Sequence, residues 1–221
     1  YLAAGKRLSL LVAKPEFISA LGQGDRALIG EIVPASYEEL KRVSSLTTPH
    51  NALAVVNMPD PPSFEANAMQ GLAIGLESVQ DPGNLGTIIR ASAWFGIRNI
   101  ICSSGSVDVY NPKVIQASMG AILNVKVMYS ELDFILGEAK KAGMPVYGTF
   151  LEGESIYKSE LDERGIILFG NESKGISGSL APFITKRLFI PGFSVSDHGV
   201  ESLNVGMAVS VVLSEFARRR K

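Results

Sequence analysis

The chain is poor in the residues that build metal and redox centres. It holds one cysteine and two histidines in 221 residues. A single thiol forms no internal disulfide, and Cys102 lies in the apolar run NIIC, which predicts a buried strand thiol. His50 and His198 lack metal-ligand spacing, so no metal is expected. No G-x-S-x-G elbow occurs, which argues against a serine hydrolase of that kind. No apolar run is long enough to span a bilayer and no signal-peptide pattern opens the chain. No membrane attachment is therefore expected, and a reducing, cytoplasmic compartment fits. Neither charge is in excess: 21 basic residues face 22 acidic ones, a formal net charge of −1. A nucleic-acid binder usually carries a basic surplus, so composition weighs mildly against one unless charge is segregated on one face. The one basic cluster, Arg218, Arg219, Arg220 and Lys221, reads as a solvated helix end that complements the helix dipole. Internal repeats and low-complexity segments are absent as well.

What is present is a composition that builds a core. The chain is 46% hydrophobic and 19% charged, and its length allows one large domain or two unequal ones. The beginning reads as irregular. SLLVAK (Ser9 to Lys14) predicts a strand, and Ser36 with Glu39 predicts a capping box opening a short helix. ALAVVNM (Ala52 to Met58) predicts another strand. The turn-rich, polar segment DPPSFEANAMQG then predicts a linker, with a boundary near Pro61 to Ala66. This divides the chain into a small α/β domain over 1–65 and a larger one over 66–221. The first residues do not read as a domain start, which leaves the N-terminal unit open to being incomplete.

After the linker, apolar strands alternate with helices. LAIGLES, NIICS, VKVMY, PVYGTF, GIILFG and RLFIPG read as strands. Asn84 to Phe95 reads as a helix closed by Gly96, Pro112 to Ser118 as another, and ELDFILGEAKKAG as an amphipathic helix ending at Gly143. A long helix from Leu203 to about Arg219 closes the chain. Continuous apolar strands in this rhythm predict an α/β fold, a parallel sheet covered by helices on both faces.

Ligands of such sheets collect outside the carboxyl ends of the strands. Three of those ends lead into loops rich in glycine and small polar residues. In DPGNLGTIIR, Asp81-Pro82-Gly83 makes a turn, Asn84 is a good N-cap, and Gly83 and Gly86 permit close approach of a ligand or backbone. The loop has G-x-x-G and lacks G-x-G-x-x-G, which makes a nicotinamide-dependent enzyme a distant reading. Arg90 falls opposite the Leu85, Ile88, Ile89 and Ser92 face. In FGNESKG, Glu172 follows a strand directly and offers a carboxylate to a ligand donor or cation, while Lys174 reads equally as a phosphate contact or a surface lysine. In SLNVGMAVSVVL, Ser202 is a natural N-cap of a helix apolar on almost every side. Such a helix is expected to be buried all round, in a core or between subunits.

These three loops, in this order, resemble the SpoU (TrmH-like) family of RNA ribose methyltransferases in the SPOUT superfamily. The resemblance covers roughly Leu72 to Phe216 and is carried by DPGNLGTIIRASAWFG, LFGNESKGIS and the span from IPGF to ESLNVGMAVSVVL. NPKVIQASMGAI also resembles the family's helix with a serine-glycine turn, Ser118 to Gly120. The N-terminal portion is thinly similar to the family's small RNA-binding domain. The resemblance implies a C-terminal trefoil knot, a homodimer, S-adenosylmethionine as cofactor and structured RNA, rRNA or tRNA, as substrate. It assigns functional positions to Asn84, Arg90, Glu172, Ser202 and Asn204. It places cofactor contacts around Gly170, Asn171, Ile190 and Leu203, with Thr149 framing the adenine. GFSVSDHGVE, between Pro191 and Ser202, is longer than the family's usual loop and leaves the register of the flanking contacts open. A non-catalytic RNA-binding protein that keeps the fold and a base methyltransferase of the same superfamily are the alternatives.

Overall fold

A computed structural model describes residues 1–60, 70–193 and 202–220. The chain divides into two compact units, the first spanning Tyr1–Asp60. The expected boundary segment, Pro61 to Ala66, lies outside the described residues.

In the first unit, β1 (Leu8–Ala13) pairs in parallel with β2 (Ile29–Pro34) and antiparallel with β3 (Ala52–Val55). Short helices α1 (Pro15–Ser19) and α2 (Gln23–Arg26) lie between β1 and β2, and α3 (Tyr37–Val43) between β2 and β3. The capping box forms as expected, with Ser36 Oγ accepting from the Glu39 amide and the Glu39 carboxylate from the Ser36 amide. The stretch read as irregular contains β2, whose half-buried IGEIVP shows no clean alternation to mark it as a strand. β3 is shorter than ALAVVNM because it pairs with β1 only from Ala52 to Val55.

The second unit is a six-stranded, all-parallel sheet. Its strands are β4 (Leu72–Leu76), β5 (Asn99–Cys102), β6 (Lys126–Tyr129), β7 (Val146–Ser155), β8 (Gly165–Phe169) and β9 (Lys186–Phe189), in the spatial order β6-β5-β4-β8-β7-β9. β4 and β8 are buried along their whole length, which is why they read as unbroken apolar runs. Alternate residues serve two cores. Leu72, Ile74 and Leu76 meet Ile167 and Phe169 on the face covered by α4 (Pro82–Trp94), α5 (Pro112–Ser118) and α7 (Val205–Arg219). Ala73, Ile166 and Leu168 face α6 (Leu132–Lys141) through Ile135, Leu136 and Ala139. Cys102 is buried at the end of β5, and loss of solvent pushes its thiol up to about 12.

The glycine between α4 and α5 shows how tightly the first face packs. A Cβ on Gly86 would lie 2.4 Å from that of Ala117 and 2.9 Å from the Val114 carbonyl. The close approach foreseen for Gly86 is thus to a helix backbone. Gly96 and Gly143 end α4 and α6 in the left-handed conformation, with φ of 74° and 64°.

Three expectations about the helices are corrected. Asp81, not Asn84, caps α4: its carboxylate accepts from the Asn84 amide at 2.7 Å, and Pro82 occupies the first turn. Asn204, not Ser202, caps α7, accepting from Gly206 and Met207 at 2.9 and 3.3 Å. α7 is also not buried all round. Val205, Val209, Val212, Leu213 and Phe216 enter the core, whereas Met207 is 57% exposed.

The basic C-terminus is more than a solvated end. Glu215 is buried and accepts from Arg218 at 2.8 Å and from Arg219 at 2.6 Å. Arg219 also donates to the carbonyls of Ile156 and Ser159, and Arg220 to that of Phe95. The hydrogen bonds and charges of the two arginines hold the Glu215 carboxyl down near 2. Lys221 lies outside the described residues.

Candidate active site

The sheet order reverses between β4 and β8. Chain succession leads outward from β4 through β5 to β6 on one side, while β8, β7 and β9 fill the other. A crevice outside the carboxyl ends of such neighbours is where a parallel sheet binds ligands. The loops that leave β4 and β8 here are DPGN and GNESKG.

The second loop is built on Gly170 and Asn171. A Cβ on Gly170 would sit 2.1 Å from the Gly175 carbonyl carbon, so only glycine fits. Asn171 and Gly175 exchange backbone hydrogen bonds at 3.1 and 2.9 Å. Asn171 Oδ1 accepts from the Ser173 and Lys174 amides, and Nδ2 donates to the Ser78 carbonyl at 2.8 Å. All four polar positions of Asn171 are therefore engaged, and it latches the β8 loop to the β4 loop. Ser78 is held there at a φ of 54°, unusual for a residue other than glycine. Glu77 adds a second latch by accepting from the Ser177 amide at 2.8 Å. The pattern of strands and turns gave no signal for Glu77 or Ser78, whose roles depend on residues 93 or more positions away.

A run of side-chain hydrogen bonds then joins the three loops. Glu172 Oε1 accepts from Asn84 Nδ2 at 3.1 Å, and Asn84 Oδ1 accepts from Asn204 Nδ2 at 2.8 Å. Asn204 Oδ1 accepts from the first amides of α7. The carboxylate has no donor, so it fixes the orientation of Asn84, and Asn84 in turn fixes Asn204. Gly206 brings α7 against α4, where an added Cβ would meet Thr87 Cγ2 at 3.1 Å.

Of the five functional positions expected, the structure thus brings together Asn84, Glu172 and Asn204. Ser202 is exposed, two residues before the cap. Arg90 is exposed on the outer face of α4, six residues beyond Asn84 and about 9 Å farther along the axis. It makes no ion pair or side-chain hydrogen bond among the described residues. Leu85, Ile88, Ile89 and Ser92 form the buried face opposite it, as expected.

The positions expected to meet a cofactor lie at the ends of neighbouring strands. Gly170 follows β8, Ile190 follows β9, and Thr149 lies in β7 with its hydroxyl donated to the Leu168 carbonyl at 3.0 Å. β7 bulges here. Thr149 and Glu154 both stand opposite Leu188, so residues 150–153 leave the regular ladder. Leu151 in the bulge and Leu203 before α7 are exposed, and Ile190 is half-buried. Apolar side chains beside irregular backbone suit a flat heteroaromatic ring with hydrogen-bonding edges, as in S-adenosylmethionine. Asn171, also expected at a cofactor, has its side chain spent on holding the β8 loop to the β4 loop. The stretch 194–201, with His198, lies outside the described residues.

The sequence model of the SpoU rRNA Methylase family matches residues 71–214, the whole of this sheet and most of α7. The chain belongs to the SpoU family. Among its relatives is the Bacillus subtilis 23S rRNA (guanosine(2553)-2′-O)-methyltransferase, 29% identical over 179 residues, which are 80% of this chain and 69% of the relative. The structure of a TrmH-family protein from Porphyromonas gingivalis superposes with a TM-score of 0.87 at 38% identity, covering 99% of this chain and 86% of that one. The SpoU methyltransferase AviRb from Streptomyces viridochromogenes, solved with S-adenosylmethionine, shares the fold with a TM-score of 0.79 at 22% identity, over 99% of this chain and 85% of its own.

Proposed function

We propose that this SpoU-family enzyme transfers a methyl group from S-adenosylmethionine to a ribose 2′-hydroxyl of structured RNA. The observation that carries the reading is the run Glu172–Asn84–Asn204–α7, which assembles one polar site from all three family motifs. The B. subtilis relative acts on a guanosine of 23S rRNA; at 29% identity that target is not transferred to this chain.

When bound, the cofactor supplies an electrophilic methyl group on sulfur. The residues of this chain have to place a weakly acidic hydroxyl in line with it and relieve that hydroxyl of its proton. A guanidinium is a poor general base, so the role of Arg90 is to hold the hydroxyl or its adjacent phosphate and to stabilise the developing alkoxide. Asn84, with its orientation fixed by Glu172, and Ser202 orient the ribose. Gly170, Ile190, Leu203 and the bulge after Thr149 hold the cofactor.

The same reading gives the chain a homodimeric state. Leu203 just before α7, Met207 on α7 and Trp94 on α4, which packs beside it, are large apolar side chains at least half exposed in the single chain. It also gives a trefoil knot in the C-terminal part of the chain. It makes the first unit an RNA-substrate domain and the enzyme cytoplasmic.

The test replaces Arg90 by alanine and measures cofactor affinity beside turnover. Transfer falls by about a hundredfold to a thousandfold while the cofactor Kd stays within about twofold. Undiminished transfer removes Arg90 from the mechanism.

A further inference from the structure

A cleft of about 370 Å³ opens between the β4 and β8 loops, lined by Glu77, Gln80, Glu172, Ser173, Lys174 and Ser177 among others. It shares Glu172 with the hydrogen-bonded run. Only Asn171 is common to it and the positions assigned to the cofactor. Its volume suits a nucleobase and is too small for a strand of RNA.

The lining chooses among ligand types. Two carboxylates and one ammonium leave the cleft negative, which opposes a phosphate. Both carboxylates keep acceptor capacity. Glu77 Oε2 takes one backbone donor, and Glu172 takes the amides of Asn84 and Asn171 at 3.1 and 3.5 Å. Lys174 makes no ion pair among the described residues although both carboxylates line the same cleft. The complement is a neutral, flat group with adjacent N–H donors and a carbonyl acceptor next to them.

Among the four bases, guanine alone has that edge. Its N1–H and N2–H₂ stand side by side for a bidentate bond to a carboxylate, and O6 adjoins them for an ammonium. Adenine and cytosine pair their amino group with a ring-nitrogen acceptor, which would face the carboxylate lone pairs. Uracil offers a single donor between two carbonyls. We propose that this cleft is the base-recognition subsite, that Glu77 and Lys174 read the Watson–Crick edge of a guanine, and that the methylated nucleotide is therefore a guanosine. This rests on the ribose-methylation reading and adds the base to it.

The test incubates the full chain with methyl-labelled S-adenosylmethionine and total RNA from a methylation-deficient strain, digests the product and identifies the labelled nucleoside. The expected label is in 2′-O-methylguanosine. Label in the 2′-O-methyl derivative of another base overturns the guanine assignment and leaves the methyltransferase reading standing; label in no ribose removes both. In the same assay Glu77→Gln, whose amide oxygen still accepts from Ser177, and Lys174→Ala each lower kcat/KM for the RNA at least about tenfold, the scale of a lost base-edge contact. Cofactor Kd stays within about twofold in both. Unchanged kcat/KM overturns the subsite. So does weakened cofactor binding, which would assign the cleft to the cofactor's amino group.

Discussion

At its first turn α7 meets side-chain amides; at its last turn it meets ions. Asn204, Asn84 and Glu172 form a partly exposed run in which each amide both accepts and donates. Glu215, Arg218 and Arg219 form an ion cluster around a buried carboxylate, fastened to the carbonyls of Ile156 and Ser159. The difference teaches what each end does. Ionic bonds to backbone fix where the helix lies. Amides set directions with little net charge, so the first turn holds groups in register without a strong field of its own. On this view the last turn stabilises and the first turn orients.

The sharpest way to break that division is Asn204→Asp. Aspartate caps a helix as well as asparagine, but its carboxylate cannot donate to Asn84 Oδ1. Turnover is expected to fall by about a hundredfold, the scale of a small misplacement of reacting groups. The melting temperature stays within about 2 °C, because the cap is kept. A parallel loss of activity and stability would merge the two ends into one structural role.

Glu215→Ala is the converse. It strips two arginines of their partner and is expected to cost about 2 kcal/mol in urea denaturation, with turnover per folded molecule unchanged. An unchanged denaturation midpoint would show that the cluster is ornamental.

A pH series sharpens the same point. The arginines hold the Glu215 carboxyl at about 2 in the folded chain, below its ordinary 4.5. Its contribution is therefore complete above about pH 4.5 and is lost as pH falls toward 2. Glu215→Gln removes that share of the acid sensitivity, while Asn204→Asp retains it. Identical acid profiles for wild type and Glu215→Gln would contradict the assignment.

The smallest effect is read at Cys102. Burial raises its thiol to about 12, so an alkylating reagent at pH 8 leaves it unlabelled in the folded protein. Labelling stays at the wild-type rate in Asn204→Asp and rises in Glu215→Ala in step with lost stability. Equal acceleration in both variants would mean that the first turn also holds the core shut.

Much of the sheet was legible because burial on both faces leaves one residue class available. LAIGL and GIILF are apolar throughout, and they are the two central strands. The helix starts were less legible. Asp81 and Asn84 are both good caps three residues apart, and so are Ser202 and Asn204 two apart. Local chemistry does not choose between them in the second case; the bond from Asn204 to Asn84, 120 residues earlier, goes with the choice. The basic tail is illegible for a similar reason. A run of arginines looks solvated until the fold buries Glu215 beneath it and brings up two carbonyls about 60 residues away.

By itself the sequence determined the order of strands and helices in the second unit, the parallel class of its sheet, and the motifs that carry Asn84, Arg90, Glu172, Ser202 and Asn204. Those properties follow from local periodicity, turn chemistry and motif resemblance. Only the tertiary structure decided that Asn84 stands between Glu172 and Asn204, that Asn171 is spent on latching two loops, and that α7 is open on one face. A hydrogen bond is short and directional, so its partners are set by how distant segments pack, and sequence spacing does not encode them.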